Sequence, residues 1–217
     1  MPEPLVLGFD TSGPYCGAAL LAGERCLAER HESMARGQAE RLLPMLTELL
    51  EGAGVAWRDL DAVGVGVGPG SFTGVRISVS AARGLALGLG VPALGVTLLE
   101  AVAHGVERPV LACLDAHRGM GYFQRHGFGD PAPFIASPEN IAGIPGSGIR
   151  CVGSLAEKTA SRLGAGCASA RFAPARAISL IAAGRQKAGS PIERPAPLYL
   201  RAPDARPATK DAPMIPA

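Results

Sequence analysis

The amino-acid sequence predicts an α/β protein of two lobes, the second reduced, and three observations carry the prediction. Short apolar runs alternate with helical stretches in the order β-β-β-α-β-α-β-α from Leu5 to the Thr97-Leu98-Leu99-Glu100 segment. A similar series then begins at Val110–Asp115, a strand that ends in an aspartate as the Leu5–Asp10 stretch does. With 47% hydrophobic but only 5% aromatic residues and 29 glycines, the core has to be aliphatic and packed with Ala and Gly. A chain of 217 residues has room for one large domain or two small lobes. We place an N-terminal lobe at 1–106, a smaller second lobe at 107–193, and an extended arm and tail at 194–217.

Leu5–Phe9 reads as a short strand ending in Asp10-Thr11-Ser12-Gly13, and Cys16–Leu21 as its partner, with Gly13-Pro14 turning the chain between them. A carboxylate there can hold a hydrated metal ion, and the hydroxyls and turn amides can hold phosphate oxygens. The same side chains also serve simply to satisfy the backbone of the turn. Leu27–Met34 gives a third strand and loop. Gln38–Glu51 is helical, with Leu42, Leu43, Met45, Leu46, Leu49 and Leu50 at three- and four-residue steps and Gly52 and Gly54 as the stop. Pro44 removes one helix hydrogen bond, so it either kinks the helix or marks its first turn. This apolar arc is wider than one core-facing stripe: either part of it packs on another subunit, or the helix is buried in its own domain.

Ala62–Val67 is a buried strand, followed by Gly68-Pro69-Gly70-Ser71-Phe72-Thr73-Gly74-Val75-Arg76 and a proline-free helix over Val75–Leu89, N-capped by Thr73 or Ser71. Strand, glycine-rich turn and helix expose backbone N–H groups where an anion or a partner's carboxylate can dock. The string lacks the Lys-Ser/Thr of a P-loop and the third glycine of a dinucleotide fingerprint, so local chemistry alone favours a tight structural turn. One face of the helix carries the small residues Ser78, Ala81, Ala82 and Gly88 with Leu85. Another carries Arg76, Ser80, Arg83 and Leu87, either a solvated stripe or the polar edge of a helix-on-helix interface.

Val91–Val96 is a further strand, and Thr97 with Glu100 opens a helix as a capping box. After Val110–Asp115 come the turn Ala116-His117-Arg118-Gly119 and a strand around Tyr122-Phe123-Gln124. Residues 127–148 are rich in Pro and Gly with little periodicity. Arg150–Gly153 with Ser154–Leu163 is one more β-α step, Ala175–Gly184 a short helix, and Pro195–Arg201 an extended arm. The tail 202–217 holds four prolines and is expected to be disordered or draped on the surface.

A net charge of +2 excludes binding to nucleic acid through a strongly basic surface of this chain alone. The N-terminus has no basic leader, and no apolar run is long enough to span a bilayer. The five cysteines (Cys16, Cys26, Cys113, Cys151, Cys167) form no C-x-x-C pair and read as reduced thiols of a cytoplasmic protein. His31, His104, His117 and His126 lie nowhere at metal-ligand spacing, so no metal site is expected, and no G-x-S-x-G elbow suggests acyl transfer. The candidates for chemistry are Asp10, Thr11, Ser12 and Asp115. Two facing carboxylates would suit a nucleotide's metal ion, but the short, loop-rich second lobe argues against robust ATP turnover.

Taken in order, Leu7-Gly8-Phe9-Asp10-Thr11-Ser12, the string from Gly68 to Arg76, Gly84-Leu85-Ala86, Asp115-Ala116-His117-Arg118-Gly119 and Pro197-Leu198-Tyr199-Leu200-Arg201 resemble the bacterial TsaB family over nearly the whole chain. The resemblance implies an actin-like (ASKHA, ribonuclease-H-like) fold with two lobes. It implies the dimerization subunit of a complex that makes threonylcarbamoyladenosine in tRNA, paired with a TsaD-like catalytic paralogue and working alongside a TsaE-like ATPase. It also implies that the first two helices form the subunit interface, here through Leu42, Met45, Leu46, Leu49, Arg76, Ser80 and Arg83. The metal-binding histidines belong to the catalytic paralogue in that family. His117 departs from the pattern, as does Met120-Gly121 before Tyr122, which weakens any nucleotide role for that loop. The expectation is a non-catalytic scaffold that homodimerises without its partner and meets tRNA only through the complex. It needs no cofactor beyond a vestigial nucleotide site at Asp10, Thr11 and Ser12. The alternative is a stand-alone actin-like ATPase or small-molecule kinase using Asp10 and Asp115.

Overall fold

The computed structural model describes residues 3–200 apart from 128, 130, 131, 142 and 145. The tail expected to be disordered, 202–217, lies outside the described residues. Among the described residues, ten strands form two five-stranded sheets. The first contains β1 (Leu5–Asp10), β2 (Tyr15–Ala22), β3 (Arg25–Ser33), β4 (Ala62–Gly66) and β5 (Ala93–Val96) in the order β3-β2-β1-β4-β5. The second contains β6 (Val110–Asp115), β7 (Gly121–His126), β8 (Phe134–Ala136), β9 (Arg150–Val152) and β10 (Gly166–Ala168) in the order β8-β7-β6-β9-β10.

The two sheets share one topology. In each, the first three strands are antiparallel neighbours and the last two run parallel to the first. The echo of Leu5–Asp10 in Val110–Asp115 is therefore structural: β1 and β6 are equivalent central strands, each ending in its aspartate. Strands β8 and β10 are the elements that sequence periodicity does not reveal. At three residues each, they are too short to show an alternation.

Five helices cover the sheets: α1 (Gln38–Gly52), α2 (Phe72–Leu89), α3 (Leu98–Ala103), α4 (Ala156–Leu163) and α5 (Pro174–Lys187). Helix α2 begins three residues before the predicted Val75, because Ser71, one of the two expected caps, accepts the Gly74 N–H at 3.3 Å. The Thr97–Glu100 capping box forms as predicted. Pro44 lies inside α1 rather than at its first turn. Arg41 bridges α1 to β3 through Glu32 and Glu48, each at 2.7 Å.

The last helix of each half is exchanged. Helix α5, within the range 107–193, packs on β1, β2 and β4 of the first sheet, whereas α3, within 1–106, packs on β6 and β7 of the second. The sequence division at residue 106 thus separates the sheets but not the packing units. The reason lies in the glycines of the central strands. Gly8 and Gly64 are register partners on β1 and β4. A Cβ on Gly8 would meet Ser179 Oγ at 2.1 Å and Ser179 N at 2.9 Å, so the missing side chain lets the backbone of α5 sit against the sheet. Ser179 then donates to Ala19 O (3.0 Å) and Ala175 O (2.9 Å), so its buried hydroxyl is satisfied.

The opposite face of the first sheet carries Leu7, Phe9, Leu20, Val63 and Val65, covered by α1 and α2. Here the structure corrects one expectation. Leu42, Met45, Leu46 and Leu49 are at most 2% exposed and face their own core rather than another subunit. The wide arc of α1 is needed because the helix seats against β2 and β3 as well as α2, leaving only Leu43 of its large apolar side chains exposed. Leu46→Ala should therefore cost about 2–5 kcal/mol, while Leu43→Glu should stay within about 0.5 kcal/mol of wild type. Urea denaturation of the purified chain measures both.

Candidate functional site

Strand β1 delivers Asp10, Thr11 and Ser12 against the string that joins β4 to α2, and both segments are shaped by how closely their backbones meet. The Ser71 N–H donates to Ser12 O at 2.7 Å, and Thr11 Oγ1 donates to Gly74 O at 2.7 Å. A Cβ on Gly70 would lie 2.5 Å from Ser12 O, one on Gly74 2.0 Å from Thr11 O, and one on Gly66 2.0 Å from Asp10 Oδ1. No side chain fits at Gly70 or Gly74 without moving the backbone opposite, nor at Gly66 without displacing the Asp10 carboxylate. The glycine-rich turn thus holds the chain's own aspartate turn where a nucleotide-binding loop would hold phosphate.

Asp10 is fully buried. Its Oδ2 accepts from the Ser12 N–H (3.2 Å), the Ser12 hydroxyl (2.9 Å) and the Tyr15 hydroxyl (2.5 Å). Its Oδ1 is buried against Gly66 with no hydrogen-bond partner. Burial raises the Asp10 carboxyl above its ordinary value despite the three donors, and the Tyr15 hydroxyl is pushed well up by burial and by the aspartate charge. Sequence reasoning missed Tyr15 as the third donor; its position at the start of β2, across the turn, was the available signal.

Asp115, the second carboxylate considered, is exposed and differently engaged. Its N–H donates to Ser154 Oγ (2.9 Å), and its Oδ1 accepts from the His117 N–H (3.0 Å). His117 and Arg118 hold the turn in left-handed backbone, at φ 59 and 52. Two cavities flank α5: one of about 360 Å³ beside residues 190–196, and one of about 460 Å³ near His104, Arg108 and His126. Neither is lined by Asp10, Thr11 or Ser12. One carboxylate is sealed behind Gly66, and the other is exposed in a separate turn. Among the described residues no three His, Cys, Asp or Glu side chains converge as metal ligands.

The outward face of α2 is the other arrangement of note. Ser80 and Leu87 are exposed, Leu87 at 87%, and a Cβ on Gly84 or Gly88 would meet nothing within 4 Å. Arg76 and Arg83, expected on this face, both turn to the chain's own C-terminal arm. Arg76 Nε donates to the Tyr199 hydroxyl (2.9 Å) and Arg83 Nε to Pro195 O (2.7 Å). Neither contact is legible locally, because the partners are 123 and 112 residues apart.

Two like sheets with exchanged helices and an aspartate at the end of each central strand define an actin-like (ASKHA) protein. The same fold alone is shared with component A of the (R)-2-hydroxyglutaryl-CoA dehydratase of Acidaminococcus fermentans, at 10% identity, a TM-score of 0.54, and coverage of 85% of this chain and 100% of that one. YeaZ of Pseudomonas aeruginosa is far more similar, with 31% identity, a TM-score of 0.74, and coverage of 91% of this chain and all of that one. The chain belongs to the TsaB (YeaZ) family. An uncharacterised protein of Mycobacterium leprae is 36% identical over 95% of the chain, which spans 57% of that relative's length. The profile of the TsaD family, tRNA N6-adenosine threonylcarbamoyltransferase, matches residues 28–130. No helix among the described residues is long and apolar enough to cross a membrane.

The clamp makes a sharp prediction within one segment. Gly66→Ala and Gly74→Ala should each destabilise by about 2 kcal/mol or more through strain. Gly84→Ala and Gly88→Ala, in open space on α2, should each stabilise by about 0.5–1 kcal/mol. Calorimetric melting of the four variants tests the contrast. Asp10 predicts a pH dependence. Because folding raises its carboxyl above 3.8, the folded chain holds the proton more tightly, so stability falls as pH rises from that value through the folded one. In Asp10→Asn this loss is absent. The Tm difference between variant and wild type should then move in the variant's favour from pH 4 upward.

Proposed function

We propose that this chain is the accessory, non-catalytic subunit of a tRNA threonylcarbamoyladenosine-forming complex, docked on a TsaD-like paralogue that it holds active. The observation that carries the reading is the closed aspartate turn. The groups that would meet a nucleotide and its metal ion are buried or bonded to the chain itself, while the outer face of α2 stays open. Membership of the TsaB family supports it, as does the TsaD profile over 28–130, a span that contains α1 and α2. A paralogue built on the same helix pair presents a comparable face, so the two pair across a pseudo-twofold axis. Two copies of this chain pair in the same way when the paralogue is absent. A TsaE-like ATPase and tRNA join through the complex, in the cytoplasm.

The surface offered on α2 is narrow: Leu87, 87% exposed, shares a face with Ser80, Gly84 and Gly88, over which another helix can approach closely, and Leu43, 50% exposed, is the bare apolar side chain of α1. Leu42, Met45, Leu46 and Leu49 support this surface from beneath and do not contact the partner.

Light-scattering mass on a sizing column tests the reading, for the chain alone and mixed with the paralogue. Formation of a heterodimer, with transfer to tRNA by the paralogue rising in its presence, is the expected result. A chain that ignores the paralogue, or leaves its transfer rate unchanged, overturns it. Leu87→Glu should weaken the pairing more than tenfold while moving the Tm of the free chain by no more than a degree or two.

A further inference from the structure

The arm read from the sequence over Pro195–Arg201 is described as far as Leu200. It runs beside α2 in the opposite direction, with Pro195 next to Arg83 and Tyr199 next to Arg76. Seven helical residues rise about 10.5 Å, and four extended residues span about 13 Å, so the two match in length. The arm is held at several points. The Leu198 N–H donates to Val67 O at 2.8 Å, and Pro195 lies buried on Gly95, whose Cβ would be 3.6 Å away. Leu198 packs on the core of the first sheet and Leu200 on that of the second. Near Leu200, Tyr199 packs against Phe72 with the rings tilted by 32° and centroids 5.1 Å apart, and the Arg76 guanidinium lies 3.8 Å over the Phe72 ring.

We propose that residues 195–199 form the third wall of the surface that receives the TsaD-like paralogue, beside α1 and α2, with Phe72 and Tyr199 as a joint aromatic contact. The proposal rests on the accessory reading above. Arg76 and Arg83 are positioning residues: each uses its Nε–H on the arm, one charge-assisted bond near each end. The cations read from the sequence as a solvated stripe or the polar edge of a helix-on-helix interface instead hold an aromatic ledge. That ledge is 42% exposed at Phe72 and 45% at Tyr199, and it is continuous with a face already open at Leu87. Half-exposed aromatics on a rigid support are the side chains that dominate binding at interfaces. Because the arm is latched before the partner arrives, ordering it adds no cost at docking. Helices α1 and α2 fall within the residues matched by the TsaD profile, so a paralogue has a like pair to set against them. The arm lies outside that span and is where this chain adds to the shared surface.

The test is a calorimetric titration of the full chain with the purified paralogue, for wild type, Tyr199→Ala, Tyr199→Phe and Arg83→Gln, with the Tm and self-association mass of each. Tyr199→Ala should raise the Kd about tenfold or more, and Tyr199→Phe, which keeps the ring, should stay within about threefold. Arg83→Gln should weaken binding and speed amide exchange over residues 190–200 of the free chain, which a residue that merely touched the partner would not do. Wild-type binding that Tyr199→Ala leaves unchanged overturns the third wall and leaves the accessory reading standing. Loss of self-association alone, with affinity for the paralogue intact, overturns it equally. Failure of the wild type to bind the paralogue overturns the accessory reading and the third wall with it.

Discussion

The structure depends on one close approach, between the turn after β1 and the turn after β4. Gly70 and Gly74 remove the side chains that would keep these backbones apart, Gly66 makes room for the Asp10 carboxylate, and the Ser71 N–H and Thr11 hydroxyl then join the two turns. The contact fixes the end of the parallel β1–β4 pair, whose register runs from Val6 opposite Ala62 to Phe9 opposite Val65. It also sets where α2 starts, since Ser71 is both a donor to the aspartate turn and the cap of the helix. The direction in which α2 presents its outer face follows from that. A buried carboxylate with one unpartnered oxygen is the cost of the arrangement, and a neutralising proton is the response that physics offers.

The second constraint is the symmetry of the two halves and how it is broken. Both sheets have the same strand order, and each lends its final helix to the other, so neither half completes its core alone. In the first half a fifteen-residue α1 stands between β3 and β4. In the second, the described residues between β8 and β9 hold a single 3₁₀ turn at Pro138–Asn140. The first sheet is therefore covered fully on both faces, by α1 and α2 on one side and α5 on the other. A helix pair with its back well packed can leave its front bare without losing stability, and this is the face proposed to meet a partner.

The alternation of strands and helices was legible because apolar runs, capping residues and glycine stops all act within a few residues. The Thr97–Glu100 box and the Gln38–Gly52 helix stand essentially as their residues predict. Strands β8 and β10 escaped because they are three residues long, and the packing that escaped did so through long sequence separation. Nothing near Leu46 says whether its side of α1 meets a β-sheet or another chain, and the sheet that claims it is assembled from strands on either side of the helix. Nothing near Arg76 points to Tyr199, and nothing near Gly8 announces Ser179. The aspartate turn was readable as a turn. That Asp10 is sealed depended on glycines more than fifty residues away, in a stretch that local chemistry reads as a tight structural turn. Helix exchange was equally hidden, since α5 follows the second sheet in sequence and packs on the first.

The same nine residues answer to both neighbours of α2. From Gly68 to Arg76, Gly70 and Gly74 face inward and must stay bare for Ser12 O and Thr11 O to approach, while Phe72 and Arg76 face outward and carry the arm. Ser71 and Val75 are fixed as well, one as helix cap and the other as part of the core under α2. A string held from inside by backbone contact and from outside by an aromatic ledge has few positions free to vary. This accounts physically for a motif that fits neither nucleotide fingerprint yet is more specific than a turn requires. It also ties the buried aspartate turn to the face proposed for docking: a side chain at Gly74 that pushed Thr11 O away would shift the start of α2 as well.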